Sequence, residues 1–306
     1  MDEFKYTIDE IFRGAIMTKN PAVIVEGKDD IKFYKNLCEN IKKNIEVIAV
    51  DNIKGVADGC TGVIECIESI QDDIKKNINN LKYILGIIDG DVRCYRDEIP
   101  NNIYGIFVLK YYSYESHFVT RQNLKNIVGL TASVGKSYID DKTLDYIEKD
   151  VQNDYKKIFY VSLEALKNAC IKEYDSIISY KDKPEYIFNN LYTGKNIMKS
   201  LMRKKNQLDE FAKQYNITFS DFKKVIKGKW LLYTYYNSVY RNLKKLPDAC
   251  RNNIITKCQY CKSGQPEKCL WNLDYNYKLE YIISIALNYY DNNELEYIND
   301  RLKQLA

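Results

Sequence analysis

The chain has 306 residues, of which 45% are hydrophobic and 29% charged; that is enough to bury a full core and too apolar for a disordered chain. It contains no run of about 18 apolar residues, and its opening Met1-Asp-Glu-Phe-Lys-Tyr lacks the basic-then-apolar order of a secretion signal, so the expectation is a cytoplasmic protein with no membrane span. The net charge is +4, and the 28 tyrosines reflect an AT-rich coding sequence, so no tyrosine carries weight as such.

Over the first 110 residues apolar runs alternate with amphipathic stretches. Residues 22–25, 45–50, 81–88 and 104–109 read as strands. Between the first two, residues 29–40 have helical spacing, with Ile31, Tyr34 and Leu37 on one stripe; Val63, Ile67, Ile70 and Ile74 form another stripe before the third strand. This order predicts right-handed crossovers and a helix-covered parallel sheet, an α/β fold. The loop 51–59, with Gly55 and Gly59, opens on the same rim; Asp58 in it is either a further ligand or part of a glycine-rich turn.

Two of these strands end in acids. Pro21-Ala-Val-Ile-Val-Glu26-Gly27-Lys28-Asp29-Asp30 is followed, 63 residues after Glu26, by Asp89-Gly90-Asp91 at the end of Leu85-Gly-Ile-Ile. Carboxylates at the carboxyl ends of strands stand where open α/β sheets place their ligands. Several at one rim repel unless a cation offsets them, and oxygen-only donors favour Mg2+ or Mn2+ over zinc. The pattern points to a hard-metal site for phosphate chemistry; the plainer reading is a turn and a surface acid. Lys28 and Arg93 flank the acids and would either neutralise charge on a phosphate or pair with their neighbours.

Val23-Ile-Val-Glu26-Gly-Lys-Asp-Asp30 with Ile87-Ile-Asp89-Gly-Asp91 resembles the TOPRIM domain of topoisomerases, bacterial primases, OLD-type nucleases and the 5S-rRNA maturase. Leu109-Lys-Tyr-Tyr-Ser-Tyr114-Glu115-Ser116 is similar to the Tyr-Ser-x-Glu segment of TOPRIM proteins of the DUF4435 type, which extends the match to about residue 120. The resemblance implies that Glu26, Asp89 and Asp91 hold one or two divalent ions and that Glu115 supports a second. The DUF4435 type includes the nuclease effector of the PARIS anti-phage system, which implies a defence nuclease, dimeric or docked on an ABC-type ATPase that restrains it, toxic toward RNA and tRNA in particular when released. Two alternatives stay open: an OLD-like DNA nuclease using the same acids, and a non-catalytic TOPRIM scaffold that binds nucleic acid or a partner.

From about residue 121 the pattern becomes helical, so the expected organisation is a metal-binding core over 1–120 and a helical region over 121–306. Leu144, Ile147 and Val151 share a face, Leu163, Leu166 and Ile171 suggest a separate helix, and 278–305 reads as one or two more. Gly135-Lys136-Ser137 imitates the end of a phosphate-binding loop, but position 130 is Leu where that loop needs glycine. His117, two residues beyond Glu115, is a candidate general acid or a packed imidazole.

Between positions 195 and 245 there are 11 Lys and 2 Arg against Asp209, Glu210 and Asp221, a balance of +10 that leaves the remainder acidic. Such segregation predicts a basic face for a polyanion, with Lys199, Arg203 and Lys204 as candidate substrate-binding residues, while most interleaved aromatics belong to the core. Cys250, Cys258, Cys261 and Cys269 stand as C-x7-C-x2-C-x7-C, the spacing of a four-thiolate structural zinc knuckle; a Cys258–Cys261 redox pair or four free thiols are the alternatives. Cys38, Cys60, Cys66, Cys94 and Cys170 are expected as buried packing.

Overall fold

The computed structural model describes residues 5–99, 101–135, 138–183, 186–188, 197–273 and 279–306. By their internal contacts they form two compact units, Met1–Lys110 with Asn292–Ala306, and Tyr111–Asp291.

The first unit is built on four parallel strands, β1 (Ala22–Val25), β2 (Glu46–Ala49), β3 (Ile84–Ile88) and β4 (Ile106–Val108), in the order β2-β1-β3-β4. Every residue of β1 and β3 is buried, as expected of unbroken apolar runs inside a parallel sheet. Ala22 pairs with Glu46 on one side and Ile84 on the other, which brings the ends of β1 and β3 level. Helices α1 (Ile8–Thr18), α2 (Lys28–Asn40) and α3 (Gly59–Ser69) pack on the sheet. A reciprocal cap starts α1, in which Thr7 Oγ1 accepts from the Glu10 amide and the Glu10 carboxylate accepts from the Thr7 amide at 2.7 Å. α3 lies so close to β3 that a Cβ at Gly86 would stand 2.8 Å from side-chain carbons of Val63 and Ile67.

Several boundaries differ from the sequence expectation. Residues 81–83 belong to a 3-10 segment, Ile78–Tyr83, and the strand begins only at Ile84. The stripe from Val63 to Ile74 stays buried but is cut at Ile70, and a short helix, Gln71–Lys76, follows. The Gln71 side chain turns inward there: its amide donates to the Tyr104 carbonyl at 2.8 Å and its oxygen accepts from the Tyr104 amide at 3.0 Å, fixing the approach to β4. The carboxy-terminal helix (Asn292–Lys303) belongs to the first unit instead of the later helical region. Tyr297 holds it there, its ring 5.7 Å from Phe107 and its hydroxyl accepting from the Lys110 amide at 3.2 Å.

The second unit is helical, with α4 (Arg121–Thr131), α5 (Asp141–Cys170), α6 (Ile197–Gln214) and α7 (Gly228–Leu243) as its main elements. α5 merges the two helices expected around Leu144 and Leu163 into one of 30 residues; it starts at the Asp140 cap, which accepts from the Thr143 amide at 2.9 Å, and Ile171 lies just past its end, 38% exposed. Trp230, Tyr235 and Tyr236 of α7 and Phe211 of α6 are core residues. Among the described residues no helix is long and apolar enough to cross a membrane.

Candidate functional site

The sheet order makes the gap between β1 and β3 the point where the chain changes direction. The connection from β1 leads outward to β2, and that from β3 leads the other way to β4. In open α/β sheets ligands bind at that point, outside the carboxyl ends of the strands. Glu26 follows β1 directly and Asp89 follows β3 directly. They meet there: a Glu26 carboxylate oxygen accepts from the Asp89 amide at 2.7 Å.

Asp91, two residues on, caps the 3-10 turn Val92–Tyr95 by accepting from the Arg93 amide at 2.9 Å, and its other oxygen takes the Arg93 guanidinium at 2.5 Å. The Asp-Gly-Asp segment is therefore a turn as well as a pair of acids, and Arg93 is paired with its neighbour. Burial pushes the Glu26 carboxyl up to about 7; the Asp89 amide opposes this, and the nearby Asp91 adds to it. Lys28 is exposed in the first turn of α2, where Asp30 turns back to accept from the Gly27 amide at 2.9 Å. In the loop after β2, a Cβ at Gly59 would lie 4.0 Å from a Glu26 oxygen, so this loop does border the rim, while Asp58 is exposed beside it.

Two residues around the acids carried no functional signal in the sequence. Cys60, expected as packing, is buried, and its thiol is pushed up to about 12 by burial and by the charge of Glu26. Tyr34 is buried with its phenol raised well above 10 by burial and then by Asp89 and Asp30. The Tyr34 position was legible only as one stripe of α2.

Glu115 and His117 belong to the second unit. The segment Tyr114–Phe118 is a 3-10 turn and not a strand, so residues two apart do not share a face. Glu115 is 6% exposed and is bonded to the Ser113 hydroxyl through a short hydrogen bond. Both press on the first residue of α7: a Cβ at Gly228 would fall 1.9 Å from Ser113 Oγ and 2.8 Å from a Glu115 oxygen. A carboxylate there also suits the positive end of the α7 dipole. His117 is 2% exposed, with Nδ1 2.9 Å from the Tyr114 carbonyl and its ring 4.9 Å from that of Tyr111. The packed-imidazole reading fits these contacts.

The four cysteines of the spaced motif come together. Their sulfurs all lie within 4.8 Å of one another, and Cys258 and Cys269 are 3.9 Å apart. Four sulfurs around one zinc at about 2.3 Å would be about 3.8 Å apart at tetrahedral corners. Burial works against ionisation of Cys258, but the amides of Cys261 and Leu270 and the neighbouring thiols outweigh it and bring Cys258 down to about 7, while burial holds Cys250 up at about 11. This group could hold a metal ion such as zinc. Among the described residues it is the group whose ligand atoms are gathered closely enough; of the rim carboxylates, Asp91 is paired with Arg93. Of the other cysteines Cys94 is exposed, contrary to expectation, because it sits in the surface turn after Asp91.

No family model and no curated protein matches this chain.

The basic segment is less free than its count suggests. Lys204 turns inward, 3.0 Å from the carboxylate of Glu164, which is 0% exposed, and donates to the Asp175 carbonyl at 2.6 Å. Lys205 pairs with Asp209, Lys224 with Asp221, Lys245 with Asp150 and Arg241 with buried Asp154. Lys199 and Arg203, on the exposed side of α6, have no partner among the described residues. Lys136 and Ser137 of the imitation phosphate loop lie outside the described residues.

Proposed function

We propose that the chain is a divalent-metal-dependent nuclease whose centre is Glu26, Asp89 and Asp91. The observation that carries this reading is the meeting of Glu26 with the Asp89 amide at the β1/β3 change of direction, where burial beside Asp91 raises the Glu26 carboxyl to about 7. A site with more anionic groups than Arg93 offsets suits a small hard cation, and its donors are all oxygen, the set that takes Mg2+ or Mn2+. Asp89 and Asp91 would be the ligands, Asp91 exchanging Arg93 for the ion. Bound there, the ion would polarise a phosphate oxygen and acidify the attacking water. Glu26, held at the rim against the Asp89 amide, would accept the proton of that water. Arg93, once released, would face the charge developing on the phosphate.

The TOPRIM resemblance supports the acid assignments, and its DUF4435 form supports RNA, tRNA in particular, as substrate and an ABC-type ATPase as the restraining partner in anti-phage defence. Glu115 is left out of this centre, since its contacts are with Ser113 and the start of α7. Sequencing RNA 5′ ends from cells expressing the wild-type chain or Glu26→Ala tests the reading. New ends in tRNA should appear with the wild type and vanish with the variant; identical ends in both would overturn it.

A further inference from the structure

The second unit contains a cleft of about 790 Å³ between α5 and α6, closed at one end by the turn that follows α6. That is the size range of sites for small organic ligands. Its floor is apolar: Leu163 and Ala212 are buried, and Phe159 and Phe219 meet edge to face with centroids 5.5 Å apart. The carboxylate in its wall is already engaged, because Asp209 accepts from the Tyr160 hydroxyl at 2.8 Å and pairs with Lys205. Two cations on opposite walls are not. Lys156 of α5 and Lys213 of α6 are exposed, line the cleft, and have no side-chain partner among the described residues.

An apolar floor lined with aromatic rings between two unneutralised ammonium groups calls for a ligand with a planar ring and a negative charge. An aliphatic anion satisfies the charge but wastes the ring edges. The side-chain amide of Asn216 at the same cleft, unbonded among the described residues, suits the polar edge of a base. Lys199 and Arg203 extend the unpartnered charge along α6. From Lys213 back to Arg203 is about 15 Å at 1.5 Å per residue, farther than one nucleotide reaches.

We propose that this cleft receives one unstacked nucleotide of a single-stranded RNA, with the base against the half-buried Phe219 and its phosphate between Lys156 and Lys213, while Lys199 and Arg203 take neighbouring phosphates. Base stacking on aromatic side chains beside a cationic track is how single strands are held without sequence preference. The inference rests on the nuclease reading for the choice of RNA, but it needs no metal, so binding is measured in EDTA and stands or falls apart from cleavage.

The test is fluorescence anisotropy of the full chain with a 5′-fluorescein 12-nucleotide oligouridylate. Lys156→Glu with Lys213→Glu should weaken binding at least tenfold and make the plot of log affinity against log salt shallower by about one to two. Phe219→Leu, which keeps the floor apolar while removing the ring, should weaken it severalfold with an unchanged salt slope. Unchanged melting of the charge-reversed variant certifies its fold, since both lysines are exposed. Affinity within twofold of wild type in the charge-reversed variant, or no RNA binding at all, overturns the proposal. So does displacement of the RNA by decanoate at concentrations where UMP fails, which would make the cleft an acyl site, or by UMP at the oligomer's own affinity, which would make the occupant a free nucleotide.

Discussion

Lys204→Met should destabilise the second unit although it removes a charge from a segment already rich in Lys. Its ammonium neutralises Glu164, which is 0% exposed, so the variant leaves a carboxylate buried without its cation. Breaking a buried pair from one side costs about 3–5 kcal/mol. Glu164 keeps two other donors, the Tyr174 hydroxyl at 2.6 Å and the Ile177 amide at 3.0 Å, and Lys204 retains 25% exposure, so the cost falls to or below the bottom of that range, about 2–3 kcal/mol. In a domain of 150–250 residues each kcal/mol moves Tm by about 2–4 °C, giving a drop of about 5–10 °C by calorimetry. Lys199→Met and Arg203→Met, on the same helix but exposed, should melt within 1 °C of wild type. Adding Glu164→Gln to Lys204→Met should restore much of the loss, since a neutral amide no longer needs the cation. A Lys204→Met protein that melts with the wild type would refute the assignment of this lysine to the interior.

Gly228→Ala should cost about 1–3 kcal/mol, because its Cβ would fall 1.9 Å from Ser113 Oγ, and Ser113→Gly should recover part of the loss in a double-mutant melt. Cys258→Ser should abolish stoichiometric zinc in chelator-free preparations and lower Tm, since metal-binding energy here is also folding energy; wild-type protein with less than half an equivalent by elemental analysis would contradict a zinc site. The folded Glu26 carboxyl stands at about 7 against an ordinary 4.5, so its contribution to stability is fully present below about pH 4.5 and is lost as pH rises through about 7, a loss of about 3 kcal/mol. In EDTA, Glu26→Gln should therefore raise Tm at pH 8 and leave it unchanged at pH 4.5; equal melting at pH 8 would refute the burial argument.

The parallel sheet was legible because its strands are short, largely apolar runs, those of β1 and β3 buried on both faces, and Glu26 and Asp89 because each follows one of these two directly. The level ends of β1 and β3, which let Glu26 reach the Asp89 amide, are a property of strand order that no local pattern encodes. The same limit hid the return of Tyr297 to β4, a contact between residues 187 apart, and the neighbourhood of Tyr34 and Cys60. Glu115 was given a second ion only through the resemblance of its segment to Tyr-Ser-x-Glu; the 3-10 turn and the missing side chain of Gly228 instead allow it to close on α7. The count of basic residues misled in a similar way, since a sequence does not show that Lys204 has Glu164 to meet. The cysteines gave the most direct signal, as the reach of four thiolates depends mainly on their own spacing.

Metal-dependent phosphodiester cleavage by the Glu26, Asp89 and Asp91 rim is tested most directly with purified protein. Purified protein should be incubated with 5′-labelled tRNA in Mg2+, with the wild type compared to Asp89→Asn and to wild type in EDTA. Discrete fragments are expected from the wild type in Mg2+, and at least a hundredfold slower cleavage in both comparisons, with Asp89→Asn as stable to heat as the wild type. Cleavage by Asp89→Asn at the wild-type rate, or cleavage that persists in EDTA, would contradict that role of the rim.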